Sequence, residues 1–178
     1  VSLKDAVRAL MAWERVRVTL SDERWVDAGN TASNERLVRE RLLRGKAAAA
    51  LFAGLRNGAA TAAEGAREAW QSLQALQRPF DVVVLGMGED GHFASLFPGD
   101  VASLHGLDAT LLPGCVAVQA PAEPRERISL NLAALLQARH LALLVTGARK
   151  LALTAEQQKS AAARAQAESD DTGSGANG

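Results

Sequence analysis

His92 is the residue in this chain best suited to move a proton near neutral pH, because an unperturbed imidazole titrates there. It sits in a run, Gly86-Met87-Gly88-Glu89-Asp90-Gly91-His92, that brings three glycines and two acids to the end of the apolar stretch Val82–Leu85. Three readings of His92 stand open: an imidazole bonded to backbone, a metal ligand, or a general base. Asp90, two residues before it, is placed to hold one tautomer and to stabilise an imidazolium. A metal would need ligands from elsewhere, and His105 and His140, in a polar loop and at a strand start, are poorly suited to supply them.

Two further clusters carry charge. Asp22-Glu23-Arg24 follows the alternating run Val16–Leu20. It reads either as a solvated turn or as site residues at a strand's carboxyl end, where open α/β sheets bind ligands. Arg125 and Arg127 precede a short apolar pair, and Arg149 and Lys150 follow Gly147 at a strand-to-helix turn. Surface charge is the plain reading of these cations. A turn that also presents backbone N–H groups suits phosphate. Gly86 to Gly91 matches the GxGxxG dinucleotide fingerprint, but Phe97-Pro98-Gly99 denies it the following helix, and two acids stand where a pyrophosphate would sit. No GxSxG elbow, HExxH pair or P-loop is present.

The elements that would position these groups follow from periodicity. Leu3, Val7 and Leu10 suggest a short helix; Val16–Leu20 alternates as a strand. Ser33 caps a helix to about Leu43, with Leu37, Val38, Leu42 and Leu43 facing inward. Thr61-Ala62-Ala63-Glu64 is a capping box, and the helix behind it runs to about Gln77. Val82–Leu85 and His140–Val145 read as strands buried on both faces, since alternation disappears there. Val116–Gln119 and Ile128–Leu130 are further strands. Helices are expected over Leu132–Gln137 and from Ala148. Residues 45–60 stay undecided. Strands alternating with helices give an α/β class with a mostly parallel sheet.

With 178 residues the chain is long enough for one domain with a core, expected over 1–168, and the polar end 169–178 reads as a disordered tail. Twenty basic and twenty acidic residues cancel, so no global field favours nucleic acid or an anionic membrane. No secretory signal or spanning segment is evident, and the single cysteine, Cys115, fits a buried inert thiol in a cytoplasmic protein.

Taken together, the motifs resemble the 6-phosphogluconolactonase family, in the superfamily that includes glucosamine-6-phosphate deaminase. Trp13-Glu14-Arg15-Val16 with Ser21-Asp22-Glu23-Arg24 is similar to its W-x-x-V…DER block, and Ser33-Asn34 to its SN pair. Gly86 to Gly99 is similar to its long GxGxDGHxASLFPG signature. Pro124 to Leu130 is similar to P-x-x-RIT-L, and Val145 to Lys150 to the later TG-x-x-K turn. The resemblance spans Trp13 to Leu151.

It implies a three-layer α/β/α fold of lactonase–deaminase type and hydrolysis of 6-phosphoglucono-δ-lactone in the oxidative pentose phosphate pathway, without metal or organic cofactor. His92 would activate water, Asp90 would orient it, and Arg24 would offset charge on the developing oxyanion. Arg127 and Lys150 would hold the 6-phosphate, Asn34 would shape the pocket floor, and Asp22, Gly88 and Gly91 would complete the substrate site. The expected partner is a phosphosugar lactone, with no nucleic acid or membrane, in a monomer or weak homo-oligomer. The deaminase branch has a glutamate in an FNEP sequence where Ser95-Leu96-Phe97-Pro98 stands here. Relative to the family, the chain is expected to lack the SGGSTP-like phosphate loop and the first strand, and the match fades after Leu151. A non-catalytic remnant that binds sugar phosphates or a partner is the alternative from another class.

Overall fold

The computed structural model describes residues 11–76, 78–156 and 158–160. The expected helix at Leu3–Leu10 and the tail at 169–178 lie outside them. In chain order the described elements are β1 (Arg17–Thr19), β2 (Asp22–Arg24), α1 (Asn34–Arg41), β3 (Leu51–Ala53), α2 (Ala62–Leu73), β4 (Phe80–Gly86), α3 (Val101–Gly106), β5 (Cys115–Gln119), β6 (Glu126–Leu130), α4 (Leu132–Leu135) and β7 (Ala138–Leu144). A last helix, α5, covers 148–156. The class is α/β.

The strands pair in three groups. β1 with β3 and β4 with β7 are parallel, while β2, β6 and β5 form an antiparallel sheet with β6 central. Its register sets Asp22 opposite Ser129 and Arg24 opposite Arg127. Cross-strand partners point to the same face and neighbours along a strand to opposite faces. Asp22, Arg24, Ser129 and Arg127 therefore share one face, and Glu23 and Ile128 the other.

The helices start where local chemistry dictates. Ser33 accepts from the Arg36 amide, and Thr61 and Glu64 form the reciprocal capping box of α2. Along α2, Ala62, Gly65, Ala69 and Leu73 recur every three or four residues and are buried. Gly65 is small by necessity, since a Cβ there would lie 2.3 Å from the Trp25 ring. The main core gathers Leu55, Leu73, Leu85, Ile128, Leu130 and Leu135; a smaller cluster joins Phe97, Val118 and Ala120.

Four expectations change. Asp22-Glu23-Arg24 is a strand, because its amides and carbonyls are taken up by β6. β4 is buried on one face only: Val83 and Leu85 enter the core, while Val82 and Val84 are 60% and 55% exposed. β7 is exposed along most of its length, since it has β4 on one side and no further described strand on the other. An apolar run permits two covered faces but does not provide the covering layer. Leu37, expected inward, is 55% exposed, and no residue of α1 is fully buried. β3 and α3 lie in stretches whose periodicity gave no assignment.

Candidate active site

The glycine-rich loop after β4 folds back on itself. Gly88 N donates to His92 O at 2.8 Å, and Gly91 N to Gly88 O at 3.3 Å. Gly91 takes φ +88°, a region that L side chains disfavour, so glycine is required at the turn. Gly88 is required for a different reason: a Cβ there would sit 2.2 Å from His92 Nδ1, so the imidazole rests on bare backbone. Ala94 holds φ +49°, an uncommon conformation for a residue with a side chain.

His92 Nδ1 lies 2.5 Å from Asp90 Oδ1. With Nδ1–H donated to the carboxylate, Nε2 keeps its lone pair, the arrangement a general base needs. The ring is neither sealed nor free, with 30% of its side chain exposed. Burial raises the Asp90 pKa, but hydrogen bonds from the His92 side chain and backbone, with the His92 charge, outweigh it and leave the carboxyl below its ordinary range.

A second group of side chains comes from the antiparallel sheet. Arg24 Nη1 donates to Ala32 O at 3.1 Å and to Asn34 Oδ1, while Asn34 Nδ2 donates to Asp22 O at 2.9 Å. Arg24 Nε is buried with no hydrogen-bond partner among the described residues. Arg127, cross-strand from Arg24, is steadied by Nε donating to Pro124 O at 2.7 Å. Burial first, then the Arg24 charge, lowers the Arg127 pKa, partly offset by Asp22 and Glu23. Two guanidiniums side by side and half-buried favour an anion between or above them.

The two groups meet at Asp22. Ser95 Oγ donates to Asp22 Oδ2 at 2.7 Å and Ser21 Oγ to Oδ1 at 3.1 Å, while Ser95 N donates to Ser129 Oγ at 3.3 Å. Phe97 forms another link, its ring centroid 4.5 Å from that of His92 and 6.0 Å from Arg127 Cζ.

Of the residues expected to form the site, Asp22, Arg24, Asn34 and Arg127 form one connected group, and Gly88, Asp90, Gly91 and His92 another. Lys150 is not joined to either among the described residues. Its neighbour Arg149 instead reaches Glu89 of the loop at 3.4 Å, an exposed pair. The dinucleotide reading loses its helix, because the next one, α3, begins only at Val101. Among the described residues no cluster of three or more histidine, cysteine or acidic side chains suits a metal ion, and no helix is long and apolar enough to cross a membrane.

The sequence assigns no individual role to Ser95 or Phe97, and offers Glu23 only as one of the three charges of Asp22-Glu23-Arg24. Glu23 is 1% exposed, and its carboxylate accepts from Arg24 N, Ser33 Oγ, Asn34 N and Glu35 N at 2.7–3.0 Å. The signal was present: in a strand, the middle residue of Asp22-Glu23-Arg24 turns away from its neighbours, and Ser33-Asn34 supplies donors ten residues on.

The family model described as glucosamine-6-phosphate isomerases/6-phosphogluconolactonase matches residues 2–170. A 6-phosphogluconolactonase of Caulobacter vibrioides is 49% identical over 143 residues, covering 79% of this chain and 61% of that protein. One from Pseudomonas aeruginosa is 45% identical over 144 residues, covering 79% and 59%. The chain thus spans about 60% of the length of these curated relatives. Among solved structures, a 6-phosphogluconolactonase from Shewanella baltica superposes with TM-score 0.77 at 46% identity, covering 83% of this chain and 62% of that one. A monomeric glucosamine-6-phosphate deaminase superposes with TM-score 0.68 at 13% identity, which speaks to the shared lactonase–deaminase fold alone.

Proposed function

The chain belongs to the glucosamine-6-phosphate isomerase/6-phosphogluconolactonase family, and we propose that it serves as a 6-phosphogluconolactonase, hydrolysing 6-phosphoglucono-δ-lactone to 6-phosphogluconate. The observation that carries this reading is the His92–Asp90 pair at 2.5 Å, set over Gly88 and beside the Phe97 ring. His92 Nε2 takes a proton from water as its oxygen attacks the lactone carbonyl carbon. The ring C–O bond then breaks, and the proton passes from the imidazolium to the departing alkoxide. Asp90 stabilises the imidazolium between those steps. Arg24, with its unpartnered Nε, supports the oxyanion, and Arg127 holds the 6-phosphate.

These parts match the demands of the reaction. A lactone is an activated ester, so one placed base, worth about 10²- to 10⁴-fold, and one oxyanion donor, worth about 10²- to 10³-fold, suffice. The phosphate is remote from the reacting carbon, so its binding energy serves orientation. Asp22 is engaged through both carboxylate oxygens, and Ser95-Leu96-Phe97-Pro98 offers no acid for amine chemistry. The family resemblance gives Lys150, next to the Arg149 that reaches Glu89 of the loop, as a second phosphate cation. The same reading assigns the protein to the oxidative pentose phosphate pathway in the cytoplasm.

The test is hydrolysis of freshly generated 6-phosphogluconolactone by the protein and by its His92→Ala form, against the spontaneous rate. A rate above background that the substitution abolishes is expected. An undiminished rate in His92→Ala would remove His92 as the base.

A further inference from the structure

Phe97 touches both ends of the proposed site. Its ring lies 4.5 Å from the imidazole of His92, centroid to centroid, at an interplanar angle of 45°, and 6.0 Å from Cζ of Arg127. The two functional groups are therefore no farther apart than these contacts together allow. Phe97 is itself fixed. It is 6% exposed and packs in its own small cluster with Val118 and Ala120, against Val116 and Ala102. Its amide donates to Ser103 Oγ at 3.0 Å. Arg127 is steadied in turn by its bond to Pro124 O, and His92 by Asp90 and the bare Gly88 backbone. A buried phenyl ring thus lies beside both a placed imidazole and a placed cation, drawn from two separate sheets.

Resting on the lactonase reading, we infer that Phe97 is a spacer that sets the distance between the base and the anion anchor. It thereby makes the site selective for lactones that carry a phosphate at the far end from the carbonyl. A substrate held at its phosphate is in register with His92 only while that distance is kept. A lactone without phosphate makes no use of it. A displacement of about 1 Å is enough to cost on the order of 10²-fold in a pre-organised reaction.

The test compares kcat/KM for 6-phosphogluconolactone and for unphosphorylated glucono-δ-lactone in the wild type, Phe97→Leu and Phe97→Met. Methionine keeps most of the volume and guards against simple loss of folding. Phe97→Tyr, which retains the ring, serves as the conservative control. The ratio of the two kcat/KM values should favour the phosphorylated lactone in the wild type and in Phe97→Tyr. It should fall by about tenfold or more in Phe97→Leu and Phe97→Met. A ratio unchanged in Phe97→Leu and Phe97→Met, whether or not both rates drop together, overturns the spacer and leaves an ordinary packing residue. A wild type that shows no rate above background with the phosphorylated lactone overturns the lactonase reading itself, which separates the two failures.

Discussion

Ser95 Oγ donates to Asp22 Oδ2 at 2.7 Å, and the bond ties the loop that carries His92 to the strand that carries Arg24. Ser95 is fully buried and Asp22 only partly so. Ser95→Ala removes one oxygen atom and leaves a carboxylate oxygen without its donor, a cost of about 1–3 kcal/mol. Lactonase kcat/KM should fall by about tenfold or more as the two halves of the site lose register. A double-mutant cycle with Asp22→Asn checks the coupling. The two losses should be non-additive by at least about 0.5 kcal/mol, and strict additivity would show that the bond does not matter to turnover.

Glu23 gathers the start of α1 onto β2, and through it Arg24 and Asn34. Glu23→Ala strands four donors, Arg24 N, Ser33 Oγ, Asn34 N and Glu35 N. Thermal or urea unfolding should register a loss of at least about 2 kcal/mol. Glu23→Gln, which keeps the size and one acceptor, should lose less. Equal stability of all three proteins would contradict the role of the buried carboxylate.

Gly88→Ala places a methyl group where His92 Nδ1 now lies, 2.2 Å from the ideal Cβ position. The imidazole must move off Asp90. We expect kcat to fall by about 10²-fold with little change in circular dichroism, because the obstruction is local to the loop. A kcat near wild type would mean that the loop adjusts without disturbing the base.

The His92–Asp90 pair has a defined pH signature. The folded Asp90 carboxyl lies below its ordinary value, so in acid the unfolded chain binds the proton more readily than the folded one. The stabilisation therefore stands in full above the ordinary aspartate range near about 3.9 and is lost as pH falls through the folded value. Asp90 is nearly half exposed, so solvent screening keeps the effect small. The sharper readout is Asp90 Cγ followed by NMR: its midpoint should rise in His92→Ala. A midpoint that stays or falls would show that His92 is not what lowers it.

Cys115, at the start of β5, has its thiol pushed up to about 12 by burial, with Arg78 opposing. Alkylation at pH 8 should be much slower than for an exposed thiol with a pKa near about 8.5, and should accelerate in urea. Rapid labelling of the folded protein would contradict this environment.

Much of this site was legible in the residues. Gly88, Asp90, Gly91 and His92 are adjacent in the chain, so their meeting needs only a tight turn. Ser33 and the Thr61–Glu64 box announced two helices, since a cap is a local interaction. What stayed hidden was long-range. Ser95 finds Asp22 across 73 residues, and no local pattern marks that pair. Three charges in a row concealed a strand at Asp22–Arg24, because its pairing with β6 outweighs their preference for water. The unbroken apolar run Val82–Leu85 implies two buried faces, yet whether a face is covered depends on what else packs there.

His92 and Arg127 are mounted on different sheets. The His92 loop hangs from β4, which draws its apolar support from one side, through Val83 and Leu85, while Arg127 belongs to β6, whose Ile128 and Leu130 are almost wholly buried. Proteins open in cooperative units, and the unit with fewer buried contacts opens first. Hydrogen exchange should therefore find the amides of β4 and its loop breathing well below the free energy needed to expose those of β6. The proposed activity would then vanish in mild denaturant before the molecule melts, because the loop that carries His92 loosens while the core shared by Leu85, Ile128 and Leu130 still holds.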